Sequence, residues 1–568
     1  MSIKGIVVSS GVAFGQALHL NLHHEKIDYR RLPTSQIADE QRKLTQAFNK
    51  QKSHLEEGLA KLEVGSEHYD LIEADILVLD DESLLEMVLT EVEQLQINAA
   101  VAIERVFALQ ASELEQLDDP YLANRAQDVL CLGSRLIARL SGAQHLDLSQ
   151  LTQPTIILAH DLTPAEFAML PLEHIAGLVL NTGGLTSHTA ILARSAGLPA
   201  LLSCHFTRAQ IHNGDEVVLN AINGELHLKP TAETFEKLTE LRLQDEAHKQ
   251  QLLLLKDLPT QTLDGHSVAL LANVGSLNEI SHLTDVGAEG IGLFRTEFML
   301  MNTTTIPQEK IQYHFYCDAL HLMDGKPFTI RTLDVGADKE LPCLNPACEE
   351  NPALGVRGIR YTFAHPEILI TQLKAILRAA NHGPIRLMFP MLNQVEELDT
   401  LFDLIEQCKV RLNEEEKGFG QLSYGIVVET PAAVINLESM LPRLDFISIG
   451  TNDLTQYAMA ADRTNPQLTR DYPSLSPAIL TLIQMTIDSA KKHNVKVSLC
   501  GELASDPIVA PLLVGMGIDE LSVNLASLLE VKSAIRASSH QACIAMAEQA
   551  HKLKRIEELN LYLTGLNI

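Results

Sequence analysis

Beyond residue 260 the chain repeats one pattern: a short apolar run, then a stretch of helical periodicity. The runs lie at Val268 to Val274, Gly290 to Phe294, Phe328 to Leu333 and Ile385 to Pro390, then at Tyr424 to Glu429, Phe446 to Gly450, Val495 to Cys500 and Glu520 to Val523. Short apolar runs alternating with amphipathic helices are the pattern of parallel strands joined by crossover helices. Eight such units match a closed (β/α)8 barrel. An open doubly wound sheet uses the same alternation and stays a second solution on periodicity alone.

A barrel makes a demand that the sequence can meet or fail: chemistry belongs at the C-terminal ends of the strands. Arg295 follows GIGLF, Arg331 lies in FTIRTLD and Glu429 ends YGIVVE. Asn452 and Asp453 follow FISIGT, Arg463 sits in the next loop, and Cys500 ends VKVSLC. Any one of them read singly fits a rim salt bridge; jointly they make a site. The three arginines, with Lys339 and Arg357 nearby, suit a ligand rich in negative oxygens, because guanidinium forks bind phosphate and carboxylate bidentately. Glu429 and Asp453 are hard oxygen donors and suit Mg²⁺. Cys500 is either a proton donor, since a thiol is mostly protonated at neutral pH, or a small core residue.

The first half has another texture. The opening IKGIVVSSGVAFGQALHL reads as short strands and turns. From Thr34 to about Gly142 glycine and proline nearly vanish, and breaks near Gly65, Asp81, Asn98 and Pro120 cut the stretch into four or five bundled helices. TIILAHDL and AGLVLNTGG look like strands, and SHTAILARSAG like a helix closed by glycine. Thr231 to Asp257 reads as a polar helical linker, with hinges expected near Pro230 and Pro259. His188 opens its helix, where the macrodipole favours a neutral, nucleophilic imidazole and free amides suit a phosphoryl group; a capped surface histidine is the plainer reading.

Composition narrows the function classes. With 44 Lys+Arg against 73 Asp+Glu the net charge is −29, which disfavours nucleic-acid binding and fits a cytoplasmic enzyme with a basic protein partner. No membrane span or export signal is expected. The eight cysteines are scattered without zinc-like spacing and read as reduced thiols.

The string GGLTSHTAILARSAGLPA resembles the phosphohistidine signature shared by Enzyme I of the bacterial sugar phosphotransferase system and the pyruvate, phosphate dikinases. GIGLFRTEF, RTLDVGADKELP, ENPALGVRGIR, MFPM, VVETPAA, SIGTNDLTQY and CGELASDP resemble the phosphoenolpyruvate-binding half of the same enzymes. SSGVAFGQAL and the helical insertion are similar to Enzyme I, and no segment is left to form the ATP-grasp domain that the dikinases need. The resemblance implies a phosphohistidine α/β domain over 1–20 and 143–230, an inserted helical carrier-binding subdomain over 21–142, a helical linker over 231–259, and a phosphoenolpyruvate-binding (β/α)8 barrel and dimerisation domain over 260–568.

It also implies roles. His188 takes the phosphoryl group on Nε2; Arg295, Arg331, Asn452 and Arg463 clamp phosphoenolpyruvate, supported by Lys339 and Arg357. Glu429 and Asp453 bind Mg²⁺, and Cys500 protonates the enolate carbon to give pyruvate. The phosphocarrier HPr is expected on the helical subdomain through Ser66 to Glu82 and Arg125, and the barrel is expected to form a homodimer. Two other readings are the nitrogen-branch paralogue, with a different carrier, and a non-catalytic phospho-dependent interaction protein. Four positions depart from the family pattern. Leu185 stands where many members have arginine, Ala337 replaces a glycine, Phe167 a threonine and Asp75 a histidine.

Overall fold

The opening residues supply strands β1 (Ser2–Lys4), β2 (Ile6–Ser9) and β3 (Val12–Leu20) in the computed structural model. It describes residues 2–20, 28–59, 67–115, 120–140, 151–162, 167, 170–182, 188–207, 209–300, 303, 305–335, 343–344, 349–463 and 465–565, which divide into two units, 1–248 and 249–568. In the first unit β4 (Thr155–Ala159), β5 (Ile175–Leu180), β6 (Ala200–Leu202), β7 (Glu216–Asn220) and β8 (Glu225–Leu228) complete an eight-stranded sheet of order β1-β8-β7-β3-β4-β5-β6-β2. β3 pairs in parallel with β4, from Gln16 opposite Thr155 to Leu20 opposite Ala159. The helical segment is thus an insertion between two adjacent strands.

That segment holds five helices among the described residues: Ile37–Leu59, Glu67–Asp80, Glu82–Leu95, Ala99–Glu115 and Pro120–Leu140. The expected breaks have local causes. Asp81 caps its helix by accepting the N–H of Ser83 at 2.9 Å, Asn98 accepts that of Val101 at 2.9 Å, and Pro120 stands at a helix start, where its missing N–H costs nothing. Their apolar stripes meet in one core that includes Leu44, Phe48, Ile72, Val88, Ile103, Phe107 and Leu136. Gly65 lies outside the described residues.

The polar helix after the sheet spans Ala232–Leu253 and is less free than a linker. Phe235 meets Phe14 edge-on at 4.9 Å, the Arg242 guanidinium lies 4.9 Å over the same ring, and Leu238 packs with Val12 and Val218. The expected hinge at Pro259 also differs. Lys532, almost fully buried, donates to the carbonyls of Lys256 at 2.9 Å, Leu258 at 3.0 Å and Gly287 at 3.2 Å, and Arg536 donates to that of Pro259 at 2.5 Å. Residues 256–259 are therefore tied to the barrel rather than hinged.

In the second unit the eight apolar runs are eight parallel strands: β9 (Ala269–Val274), β10 (Ile291–Arg295), β11 (Phe328–Arg331), β12 (Ile385–Phe389), β13 (Leu422–Val428), β14 (Phe446–Ile449), β15 (Lys496–Leu499) and β16 (Glu520–Asn524). β16 pairs back onto β9, so the barrel closes and the open doubly wound sheet is excluded. Buried aliphatic residues on strands and helices, such as Ile330, Leu387, Ile426, Ile447 and Leu499, form one continuous core. Inside the ring Leu293, Met388, Val427, Phe446 and Cys500 form a separate small layer.

Candidate functional site

The barrel mouth collects charge from five strand ends. Arg295 and Arg331 are the last residues of β10 and β11. Glu429 follows β13 directly and Cys500 follows β15. Asn452 and Asp453 lie in the first turn of the helix Thr451–Met459 after β14. Gly450 makes that turn possible, because a Cβ there would sit 2.9 Å from Val427 Cγ1 and 3.1 Å from the Glu429 side chain. Arg357 arrives on the loop after β11 and Arg463 just past the helix. Lys339 lies outside the described residues.

These side chains form one ion network. Arg331 donates through Nη2 to Glu297 Oε1 at 2.6 Å, and its Nη1 lies 2.9 Å from Asp334 Oδ2. Arg357 donates through Nη2 to Asp334 Oδ1 at 3.3 Å, and through Nη1 to Asp453 Oδ1 at 2.9 Å and the Tyr457 hydroxyl at 3.0 Å. Arg463 Nη1 donates to the other Asp453 oxygen at 3.1 Å. Met391 N–H donates to Glu429 Oε1 at 2.7 Å, and Glu502 N–H to Asn452 Oδ1 at 3.1 Å. Four carboxylates, Glu297, Asp334, Glu429 and Asp453, are all buried among Arg295, Arg331, Arg357 and Arg463, so the formal charges balance. Such burial is tolerable only because the groups are paired.

The pairing is incomplete. Nε of both Arg331 and Arg357, and the hydroxyls of Thr332 and Thr451, have no hydrogen-bond partner among the described residues although they are buried. Buried donors without partners cost about 1–3 kcal/mol each, which a ligand rich in oxygens recovers.

The electrostatics divide by sign. Burial works against the charged guanidinium of Arg331, but Glu297, Asp334 and Glu429 outweigh it and hold its pKa above the usual arginine range. Arg357 behaves alike, through Asp334 and Asp453. Glu429 is pushed up to about 8, by burial first and then by the Asp453 and Asp334 carboxylates. Burial also raises the Cys500 thiol, which stays protonated at neutral pH and donates to the Ile449 carbonyl at 3.7 Å. Both readings of Cys500 thus meet in one place, a buried thiol within the ring.

The donor set fits a divalent cation. Glu429 and Asp453 are desolvated oxygen donors that repel one another, a tension that a cation relieves. No group of three or more His, Cys, Asp or Glu that could hold a metal ion occurs among the described residues. Mg²⁺ commonly takes only one or two carboxylates and fills its shell with water and substrate oxygens.

In the first unit, His188 is the first residue of the helix His188–Ser195. The helix is closed by Gly197 at φ +61°, with Leu198 N–H donating to the Ala193 carbonyl at 2.9 Å. It packs through Ala190 and Ala193 on a core shared with Leu178 and Leu180, and Thr189 Oγ1 anchors it to the Leu162 carbonyl at 2.6 Å. Phe167 is buried in that same core, so this departure fills space. Leu185 and Ala337 fall outside the described residues, as does Ser66, and nothing is described of the Arg125 side chain. Asp75 pairs with Arg135 Nη1 at 3.0 Å, with its side chain 14% exposed.

Glu297, Asp334 and Tyr457 are the network members that the sequence reading passed over. The signal available was that arginines at strand ends of a barrel need counter-charges, and Glu297 and Asp334 lie two and three residues beyond Arg295 and Arg331.

Three protein-family models match the chain: PEP-utilising enzyme, N-terminal, over residues 4–125; the mobile domain of the same enzymes over 151–224; and their PEP-binding domain over 249–540. Curated relatives with the name phosphoenolpyruvate-protein phosphotransferase match nearly end to end. That of Haemophilus influenzae is 38% identical over 552 residues, 96% of each chain. That of Buchnera aphidicola from Schizaphis graminum is 36% identical over 564 residues, and that of Bacillus subtilis 35% over 560, each covering 98% of both chains.

Proposed function

The chain belongs to the PEP-utilising enzymes, among the phosphoenolpyruvate–protein phosphotransferases, and on that premise we propose how its residues divide the reaction. It is an enzyme that transfers the phosphoryl group of phosphoenolpyruvate to histidine. The observation that carries the division of labour is the barrel mouth, where balanced charges leave Arg331 and Arg357 with unpartnered donors.

Phosphoenolpyruvate binds there, its phosphate and carboxylate held by Arg295, Arg331, Asn452 and Arg463, with Lys339 and Arg357 in support. Glu429 and Asp453 are the residues to hold Mg²⁺, which supplies positive charge to the phosphoryl oxygens when bound. His188 Nε2 attacks phosphorus; the P–O bond to the enol oxygen breaks and its electrons stay on that oxygen. Cys500 gives its proton to the methylene carbon of the enolate, which becomes pyruvate, and solvent reprotonates the thiolate. His188 and the mouth belong to different units, so the two must meet for transfer and part for delivery. Delivery is to a histidine of the phosphocarrier HPr on the helical insertion, as the first step of sugar uptake by the phosphotransferase system. The protein acts in the cytoplasm as a homodimer through its barrel; no helix among the described residues is long and apolar enough to cross a membrane.

Incubation with phosphate-labelled phosphoenolpyruvate and Mg²⁺ should give acid-labile label on the chain. His188→Ala should abolish labelling while phosphoenolpyruvate binding persists. Stoichiometric label on the variant would sink the assignment of His188, and a panel of labelled-enzyme transfers to candidate carriers tests HPr.

A further inference from the structure

Asp334 touches two of the arginines at the mouth and belongs to none of the roles assigned so far. Its carboxylate, 3% exposed, lies 2.9 Å from Arg331 Nη1 through Oδ2 and accepts from Arg357 Nη2 at 3.3 Å through Oδ1. The two guanidinium groups come from different places, a strand end and a loop 26 residues later, and this one carboxylate joins them. The backbone around it is pinned on every side. Thr332 N–H donates to the Met388 carbonyl at 2.9 Å on the neighbouring strand, and Leu333 N–H donates to Gln372 Oε1 at 3.0 Å. Gly358 N–H, beside Arg357, donates to the Val335 carbonyl at 3.3 Å, so the loop carrying one arginine is tied to the segment carrying Asp334.

Two further observations give the arrangement a direction. Each arginine is held at its Nη ends, and each leaves Nε, buried, without a partner among the described residues. Arg331 has a second anchor in Glu297 and Arg357 one in Asp453, but Asp334 alone is shared, so it alone fixes the angle and spacing between the two planes.

We propose that Asp334 is a positioning residue for phosphoryl transfer, locking Arg331 and Arg357 to one another so that an anionic ligand meets two pre-oriented forks. This rests on the reading of the mouth as the phosphoenolpyruvate site. Asp334 touches no substrate in this scheme. Its effect passes through the arginines, and its loss frees the Asp334-facing side of each, with Arg331 held by Glu297 and Arg357 by Asp453 and Tyr457. A fork displaced by about 1 Å costs on the order of 10² in rate.

The test is phosphoenolpyruvate-dependent phosphorylation of the full chain by Asp334→Asn, which keeps shape and removes the charge, and by Asp334→Glu, which keeps the charge and displaces it. Asp334→Asn should lower kcat/KM by about 10²-fold, with kcat falling as well as KM rising, at an unfolding midpoint where the protein is still fully native at assay temperature. Asp334→Glu should fall between it and the parent, and it serves as the decisive variant should the asparagine form not fold. Arg331→Lys and Arg357→Lys, alone and combined with Asp334→Asn, complete the experiment. If Asp334 acts through the arginines, each double variant loses less than the product of its single losses. Full kcat/KM in Asp334→Asn and Asp334→Glu overturns the proposal, and so do multiplicative losses in both double variants. Lysine variants that themselves keep full kcat/KM would instead bring down the reading of the mouth on which it stands.

Discussion

Arginine is buried against carboxylate in two regions of this chain, in different surroundings. In the helical bundle Arg135 and Asp75 face one another at 3.0 Å with side chains 8% and 14% exposed, two opposite charges on different helices. At the barrel mouth Arg331, Arg357 and Arg463 interlock with Glu297, Asp334 and Asp453. Buried donors without a partner among the described residues are not peculiar to the mouth. What sets the mouth apart is that several arginines and carboxylates converge there from the ends of neighbouring strands and the loops that follow them, where a ligand can reach them. Substitutions at the mouth should therefore damage transfer more than stability, and substitutions of the bundle pair the reverse.

The largest effect expected at the mouth separates proton donation from packing. Cys500→Ser keeps the size of the side chain in its small layer but replaces the thiol with a far weaker acid. Pyruvate formation should slow by about 10²–10⁴-fold, while transfer from already phosphorylated His188 to the carrier is unchanged, because that half-reaction protonates no carbon. Equal losses in both half-reactions would move Cys500 to the structural side of the comparison.

Glu429 extends the contrast to pH. Its carboxyl sits at about 8 in the folded protein against an ordinary 4.5, because of burial and the neighbouring carboxylates. Below the ordinary value it is protonated in folded and unfolded chains alike. Between the two values the unfolded chain releases the proton and the folded one keeps it, so stability falls as pH rises, by at most about 1.4 kcal/mol per pH unit. Above the folded value the penalty is complete. Glu429→Gln should flatten this part of the profile in the ligand-free protein, and thermal midpoints from pH 5 to 8 measure it against the parent. Parallel profiles would show that Glu429 is ionised throughout.

How much of this was legible in the sequence depends on the range of the interaction. The barrel strands were, because each must be apolar over four to seven residues regardless of its neighbours. The mouth residues were, because strand ends aim them at one place. Their counter-charges were only half legible: Asp334 lies three residues beyond Arg331, but its bond to Arg357 exists only once that loop folds back over it, and no local periodicity encodes that return. Asp75 departs from a family histidine, and nothing local in the sequence shows that Arg135, 60 residues on, lies beside it. The short strands β6, β7 and β8 were missed as well, although Asn223–Gly224 between β7 and β8 is a hairpin signal. They lack the repeated strand–helix units that mark the equally short barrel strands.

Lys532 tests a buried charge outside the mouth network, within the barrel unit itself. Its ammonium, with a pKa lowered by burial, donates to three carbonyls and so has a partner for each proton. Lys532→Met leaves those carbonyls without their donor and should cost about 2–3 kcal/mol in chemical denaturation, with phosphoenolpyruvate binding at the mouth retained. A loss of phosphoenolpyruvate affinity without loss of stability would place Lys532 with the functional network.

The smallest net change is expected from removing the bundle's ion pair whole. Arg135→Met alone removes the cation facing the Asp75 carboxylate in a nearly closed environment and should cost about 3 kcal/mol. Asp75→Leu together with Arg135→Met removes both charges of the pair. The double variant should return to within about 1 kcal/mol of the parent, because desolvation of the pair cancels most of its Coulombic gain. Phosphorylation by phosphoenolpyruvate should be unaffected in the double variant, and so should delivery to the carrier if the pair serves only the bundle. Slow delivery at restored stability would mean that Asp75 and Arg135 shape the docking face after all, and the bundle's ion pair would then join the mouth as a device held for a partner. The matching double removal at the mouth, Asp334→Leu with Arg357→Met, can restore stability in the same way but not transfer, because the fork it deletes is what the ligand needs.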